Sequence, residues 1–278
     1  MDSPIVQFAP GVTVVLRGPG TIQFGVDATR SGVIETPAAA ELARTLQCLR
    51  FPTRVELLAE RARRECGLSE HDTAGLVAEL ISYRVLVAAA PSPAALIGRG
   101  PLAAAIRPLL TAARIPVRAP LRGESSERFL DGCDPTLPLA VVDELATATI
   151  LAHAARRRTG PVLSASLIDA RVFLGPLGSG PAGPCLECAH LYHTDRDANW
   201  PRIVRRVRDN PAPPDPLVVA AGAAAAAGII RRLCGAPDPP GVSAPAPRRG
   251  SLVIVDPFGP APVTHQTLAP HPACPMCY

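Results

Sequence analysis

The spacing of apolar positions changes along the chain, and each change marks an element. Gly11 to Gly18 (GVTVVLRG) reads as a short strand, Pro19-Gly20 as a turn, and Thr21–Val26 (TIQFGV) alternates like the returning strand of a hairpin. Ser31–Glu35 reads as a third short strand, ended by Thr36-Pro37, an N-cap followed by proline at the first helical position. Apolar residues then recur at helical spacing over Ala38–Leu49, Val55–Cys66 and Asp72–Tyr83, with Gly67 closing the second helix and Ser69 capping the third. Val85–Val87 closes the segment as a strand or wing. Strands and helices in this order describe a winged helix-turn-helix over residues 1–90.

Beyond a Pro/Ala linker at Ala88–Pro93 the pattern becomes alternating strand and helix. Ala94–Ile97 is apolar throughout and leads into Gly98-Arg-Gly100, a helix to Pro108 and a strand at Ile115–Val117. Leu137–Val142 (LPLAVV), the helix Leu145–Arg158 and the strand Pro161–Ser166 repeat the alternation. Unbroken apolar strands separated by helices predict an α/β fold over residues 94–278, a Rossmann-like, mainly parallel sheet with helices on its faces. Ala189–Pro201 reads as a helix with a polar end, Asp215-Pro216 as the start of an Ala-rich helix to Cys234, and Leu252–Val255 as a late strand.

Composition removes several functions. All 28 basic residues are arginine, so chemistry that needs a lysine amine is excluded. The net charge of +4 divides into −1 over residues 1–90 (9 Arg against 10 Asp and Glu) and +5 over residues 91–278 (19 against 14). Neither half is the concentrated basic surface that duplex nucleic acid demands, and no nucleic-acid partner is expected. The N-terminus lacks the basic start and apolar core of a signal peptide. The longest apolar run, Leu217–Ile230, is 14 residues of mostly Ala and Gly, too short to span a bilayer, so no membrane partner is expected. With reduced thiols, the cytoplasm is the expected compartment.

Four cysteines carry the strongest chemical signal. Cys185 and Cys188 form one C-x-x-C and Cys274 and Cys277 another, each able to aim two thiolates at a single ion. Two such knuckles give a closed, four-thiolate site of the kind Zn²⁺ takes in a structural role, stapling the tail onto the middle of the fold. Disulfides, a thiolate-held iron or no metal are the alternatives; Cys48, Cys66, Cys133 and Cys234 are scattered without pairing rhythm. His190 and His193 are read as ordinary polar residues because sulfur already fills the ligand places. Asp195-Arg196-Asp197 is read as a solvated turn with local ion pairs, with a catalytic cluster as the alternative.

Two further patterns are weaker. Gly98 and Gly100 sit where a dinucleotide loop has its glycines, with Ala103 at the third position. Pro101 removes an amide from the phosphate cradle, and the next strand ends at Arg118-Ala-Pro without the acidic residue that takes a ribose hydroxyl. In the first segment, a winged helix can also capture an extended peptide by strand addition. Val33 and Ile34 on the edge strand, with Leu76, Leu80 and Tyr83 on the third helix, are the expected groove, or else simply core positions.

These motifs carry a resemblance. Residues from about 94 onward resemble the ThiF/MoeB superfamily of ubiquitin-activating-type folds, in the strand–G-x-G–helix start, Gly175-Pro176-Leu177 and the two distant C-x-x-C pairs. More closely, Cys185-Leu-Glu-Cys188, followed after four residues by His193-Thr-Asp-Arg-Asp-x-x-Trp200-Pro201, and the ending His271-Pro-x-Cys274-x-x-Cys277 resemble actinobacterial cyclodehydratase ThiF-like proteins. Those proteins act in making thiazole- and oxazole-modified (TOMM) peptides, a branch of RiPP biosynthesis. The resemblance implies a PqqD-like recognition element in residues 1–90 that binds a precursor leader peptide. It also implies presentation to a YcaO-type heterocyclase that uses ATP, and the chain is expected to form a homodimer. Adenylating members use an acidic ribose ligand, arginine and a lysine near the phosphates; lacking the first and last, this chain is not expected to take ATP. The expectation is a non-catalytic leader-binding scaffold subunit. A ThiF/MoeB-type adenylyltransferase acting on a protein C-terminus is the alternative, and a DNA-binding regulator a third reading.

Overall fold

The computed structural model describes residues 4–27, 30, 32–88, 91–179, 183–242 and 244–278. Ser31 of the expected third strand, Ala89 and Ala90 of the linker, and 180–182 of the Gly/Pro loop lie outside them. The chain divides into two units, Met1–Ala90 with Pro237–Pro245, and Pro91–Ala236 with Ala246–Tyr278.

The first unit runs β1 (Ile5–Phe8), β2 (Val14–Gly18), β3 (Thr21–Phe24), β4 (Gly32–Glu35), α1 (Ala39–Leu46), a 3-10 turn at Gln47–Arg50, β5 (Thr53–Arg54), α2 (Val55–Cys66), α3 (Glu70–Ser82) and β6 (Leu86–Ala88). Its strands form two antiparallel sheets, β5-β1-β6 and β2-β3-β4. Ile22 and Phe24 of β3 pack with Leu42, Leu46, Leu58 and Leu80 of the helices in one core. The cap expected at Ser69 is a full capping box: Ser69 Oγ accepts from Asp72 N at 3.1 Å, and Asp72 Oδ2 accepts from Ser69 N at 3.3 Å. That box starts α3 at Glu70, two residues before the apolar periodicity does. β1 and β5 are unmarked in the sequence pattern because four and two residues are too few to display a period.

The second unit runs β7 (Ala94–Ile97), α4 (Pro101–Ala112), β8 (Val117–Arg118), α5 (Ser126–Gly132), β9 (Leu139–Val142), α6 (Ala148–Ala155), β10 (Pro161–Ile168), β11 (Arg171–Ser179), α7 (Leu186–Arg196), α8 (Trp200–Asp209), α9 (Pro216–Leu233), β12 (Ser251–Val255) and β13 (Val263–Thr267). One sheet joins its strands in the order β13-β12-β11-β10-β9-β7-β8. β8, β7, β9 and β10 are parallel, while β11, β12 and β13 add antiparallel, so five of the seven strands point one way. The sheet is thus mainly parallel with an antiparallel extension, because β10–β11 and β12–β13 return by short turns that admit no crossover helix.

Both faces of the parallel half are covered. Ala94 and Leu96 face a core with Leu102, Ile106 and Leu110 of α4, whereas Ala95 and Ile97 face a second core with Leu151 and Ala155 of α6. Period-two placement on a strand buried on both sides explains why β7 and β9 read as continuous apolar runs. α9 lies in the first core through Val218, Ala223, Ala226 and Ile230. Its 18 residues exceed the 14-residue run of the sequence and are long and apolar enough, by length and composition, to cross a membrane; one face, Val218, Ala223, Ala226 and Ile230, packs in the core. Asp215 caps it as expected, Oδ1 accepting from Leu217 N at 2.8 Å and Val218 N at 3.2 Å.

Candidate functional site

Two loops and one helix bring the four cysteines together. Cys185 stands at the N-cap of α7 and Cys188 in its first turn, while Cys274 and Cys277 lie on successive turns of the C-terminal tail. All four Sγ atoms lie within 4.8 Å of one another. Neighbouring sulfurs are separated by 3.9 Å (Cys185–Cys188), 3.7 Å (Cys185–Cys274), 3.5 Å (Cys188–Cys277) and 3.7 Å (Cys185–Cys277). Sulfurs held tetrahedrally at about 2.3 Å from an ion have edges of about 3.8 Å, so these four separations suit one metal. A disulfide needs sulfurs about 2 Å apart, and all eight cysteines are unbridged. The adjoining cavity, beside Cys185 and Cys277, is about 20 Å³ and admits about one water, so no substrate reaches the cluster through it.

Hydrogen bonds single out Cys188 as the thiolate of the set. The thiol of Cys185, the Cys185 backbone N–H and the His271 N–H all donate to Cys188, and these hold its pKa down to about 4. Its place in the first turn of α7 adds the positive end of the helix dipole. The proton is displaced onto the neighbours: Cys185 is shifted up by donating to Cys188, and burial, with the bond to Cys188, pushes Cys277 up to about 12. A cation held by the four sulfurs would replace those protons, the usual coupling of metal uptake to proton release.

α7 fastens to the tail along one stripe. Cys188, Tyr192 and Asp195 are spaced i, i+4, i+7. Tyr192 donates its hydroxyl to Ala269 O at 3.2 Å and meets the His271 ring edge-on at 4.8 Å. Asp195 Oδ2 lies 2.8 Å from His271 Nε2, and Ala273 N donates to His271 Nδ1 at 3.2 Å, which places the imidazole proton on Nε2, facing the carboxylate. Asp195 is therefore not part of a local ion pair: its partner lies in the tail. Asp197 instead accepts from Asn199 N at 2.9 Å and ends α7, so the helix expected over Ala189–Pro201 stops at Arg196, and α8, which the sequence reading did not mark, follows from Trp200. His271, which the sequence places in the terminal motif without a role, is buried, and its place three residues before Cys274 makes it a ligand-supporting position. His193, an ordinary polar residue by its spacing, is held more firmly than that. It stacks on Trp200 (4.4 Å, 19°) and stands edge-on to Phe173 (5.8 Å), and burial, then the charges of Arg196, His190 and Arg171, lowers its pKa to about 4.

The glycine loop after β7 is shaped by packing. Gly98 has φ +131, and a Cβ there would strike the backbone carbonyl of Val142 at the end of β9. Arg107 of α4 donates to Gly98 O at 3.0 Å. Gly100 abuts Asp143, whose Oδ2 would lie 3.2 Å from a Cβ at that position. Asp143 itself accepts from Leu167 N at 2.8 Å and adopts φ +56, and burial raises its pKa to about 6, opposed by that bond and aided by the Glu144 charge. Gly98 is therefore accounted for by the close passage of β9, and Gly100 sits against the Asp143 side chain just beyond it.

The five residues expected to line a peptide groove divide. Leu80 is buried in the core; Ile34 and Leu76 are partly buried against that same core; Val33 on β4 and Tyr83 just after α3 are exposed, at 47% and 71%. β4 is an edge strand of its sheet.

No protein-family model matches the chain, and no curated protein matches it. Solved structures do. A heterocyclase in complex with substrate and cofactor superposes with a TM-score of 0.60 at 15% identity, over 99% of this chain and 40% of that one. The heterocyclase TruD superposes with a TM-score of 0.59 at 15% identity, over 99% of this chain and 43% of that one. The fold is shared with a part of each heterocyclase chain. At this identity the likeness is one of fold, and this chain spans about two fifths of the length of either heterocyclase. The microcin C7 biosynthetic enzyme MccB, in complex with N-formylated MccA, aligns more loosely (TM-score 0.48, 12% identity, 99% of this chain and 100% of that chain). The heterocyclase likeness runs through both units and includes the segments that carry the cysteine cluster.

Proposed function

We propose that this chain is a leader-peptide-binding scaffold subunit for azole-forming modification of ribosomal peptides. The first unit serves as a winged-helix, PqqD-like element: an extended precursor leader adds beside the edge strand β4, with Val33, Ile34 and Tyr83 gripping side chains and Leu76 and Leu80 backing them from α3. Main-chain pairing supplies affinity and alternate side-chain pockets supply selectivity. The second unit, stapled by Zn²⁺ on Cys185, Cys188, Cys274 and Cys277, docks a YcaO-type heterocyclase that spends ATP. The subunit works in the cytoplasm as a homodimer.

The observation that carries this reading is the fold shared over 99% of the chain with a heterocyclase solved with its substrate. Two features of the chain favour recognition over nucleotide chemistry. There is no lysine to meet developing phosphate charge, and the residues of the glycine loop are engaged by β9, Arg107 and Asp143. Zinc rather than iron suits a closed four-thiolate site with no electron-transfer role.

Where a short Cys/Ser/Thr-rich open reading frame lies beside this gene, a labelled peptide covering it tests the proposal by fluorescence anisotropy on the full chain. Saturable binding, weakened at least about tenfold by Val33→Asp and by Tyr83→Ala, is expected, since both side chains are exposed and their loss spares the core. Equal binding by both variants sinks the assignment to this edge.

A further inference from the structure

The stripe of α7 next to the one that grips the tail carries Ala189, His193 and Arg196, again at i, i+4, i+7. Ala189 adjoins the cysteine cluster, its N–H donating to Cys185 O at 3.3 Å, while His193 and Arg196 lie one and two turns further along α7. They roof a cavity of about 360 Å³ that lies wholly in the second unit, over the antiparallel extension of the sheet. Its floor is apolar, made by Phe173 of β11 and Leu252 and Ile254 of β12. The volume is at the lower end of the range for small-ligand sites. One wall is the flat ring of His193, which burial keeps neutral and which its stack on Trp200 holds in place.

Charge at the mouth is of one sign. Arg171 and Arg196 both line the cavity, with the amide of Gln266 beside them. Neither arginine has a carboxylate partner among the described residues, whereas Arg44 and Arg208 each find one at 3.0 Å. Arg171 rests over the Phe173 ring at 5.4 Å, and both guanidinium charges are near enough to His193 to disfavour its protonation. Two unpaired guanidiniums over an apolar, aromatic-walled floor form a site with an anionic end and a greasy end.

We propose that this cavity binds a carboxylate borne on an apolar or aromatic body, with the carboxylate between Arg171 and Arg196 and the body on Phe173 and Ile254. Two sources offer that chemistry: a free aromatic carboxylic acid, and the C-terminal residue of a peptide. The site goes beyond the leader capture proposed above and involves no residue of the first unit, so either can fail without the other.

The test uses the full, metal-bearing chain at low salt. N-acetylphenylalanine and its uncharged carboxamide are titrated by ligand-observed NMR, followed by a short peptide ending in Phe as acid and as amide. The acid is expected to bind and the carboxamide to bind at least about tenfold more weakly. Arg171→Gln and Arg196→Gln are each expected to weaken the acid about fivefold, and both side chains are exposed, so the fold tolerates their loss. Tighter binding of the peptide acid than of N-acetylphenylalanine assigns the site to peptide termini, and the reverse order assigns it to free acids. Equal binding of acid and carboxamide, no binding by about 10 mM, or arginine variants that bind like the parent overturn the proposal.

Discussion

Asp143 stands where the nucleotide-type loop meets the end of β9, and its burial makes it a titrating contributor to stability. Its folded pKa of about 6 lies above the ordinary 3.8, so between those values the folded chain binds a proton that the unfolded chain releases. Stability on this account is highest below about pH 4, falls as the pH rises toward 6, and is level above. Asp143→Asn removes the burden. Asn tolerates the left-handed backbone and keeps an oxygen for Leu167 N. The variant should be more stable than the parent by about 1–3 kcal/mol at pH 8 and match it near pH 4, read by urea melts at both pH values. A difference independent of pH contradicts the assignment.

At this scale the sequence picked out the four cysteines that cluster and said less about what supports them. A C-x-x-C announces itself because both ligands come from one turn of backbone. The Asp195–His271 bond does not, because its partners lie 76 residues apart and only the folded sheet brings them together. Gly98 was legible as a position needing glycine, but whether phosphate or Val142 demanded it depended on where β9 passes, which spacing does not encode.

Among the elements, α9 makes the sharpest prediction because two of its glycines differ. Gly222 is buried against Val172 of β11, where an added Cβ would strike the side chain, while Gly228 is exposed with open space beside it. Gly222→Ala is expected to destabilise by about 1–3 kcal/mol through overpacking, despite its better helix propensity. Gly228→Ala is expected to stabilise by about 0.5–1 kcal/mol from propensity alone. Thermal melts of the two variants should move in opposite directions. A shift of the same sign contradicts this packing of helix on sheet.

Long, strongly periodic elements were the legible ones: α2 was read to its last residue, and the buried strands β7 and β9 announced themselves by being apolar on both faces. Short strands such as β1 and β5 borrow their stability from pairing partners and leave no local trace. The break between α7 and α8 escaped because Asp197 ends the helix through one side-chain bond, inside a polar stretch, His193–Asn199, that shows no apolar period of its own.

For the whole molecule, the cysteine cluster ties the last residues of the chain to α7 and, through it, to the sheet. Purified protein is expected to hold one metal ion per chain by elemental analysis, zinc in the account given above. Cys188→Ala should lose that ion and lower Tm by more than Gly222→Ala does, because structural zinc contributes about 10 kcal/mol or more in small zinc-dependent folds. Retention of a full metal equivalent by Cys188→Ala contradicts the four-thiolate assignment.

The central claim is that the chain recognises a peptide and leaves ATP to a partner. Calorimetric titration of the neighbouring-gene peptide into the full chain, with ATP and Mg²⁺ in excess and pyrophosphate assayed in the same samples, tests it most directly. The account predicts one peptide bound per chain, an affinity unchanged by ATP, and no pyrophosphate above the blank. Release of pyrophosphate, or no heat of peptide binding, contradicts it.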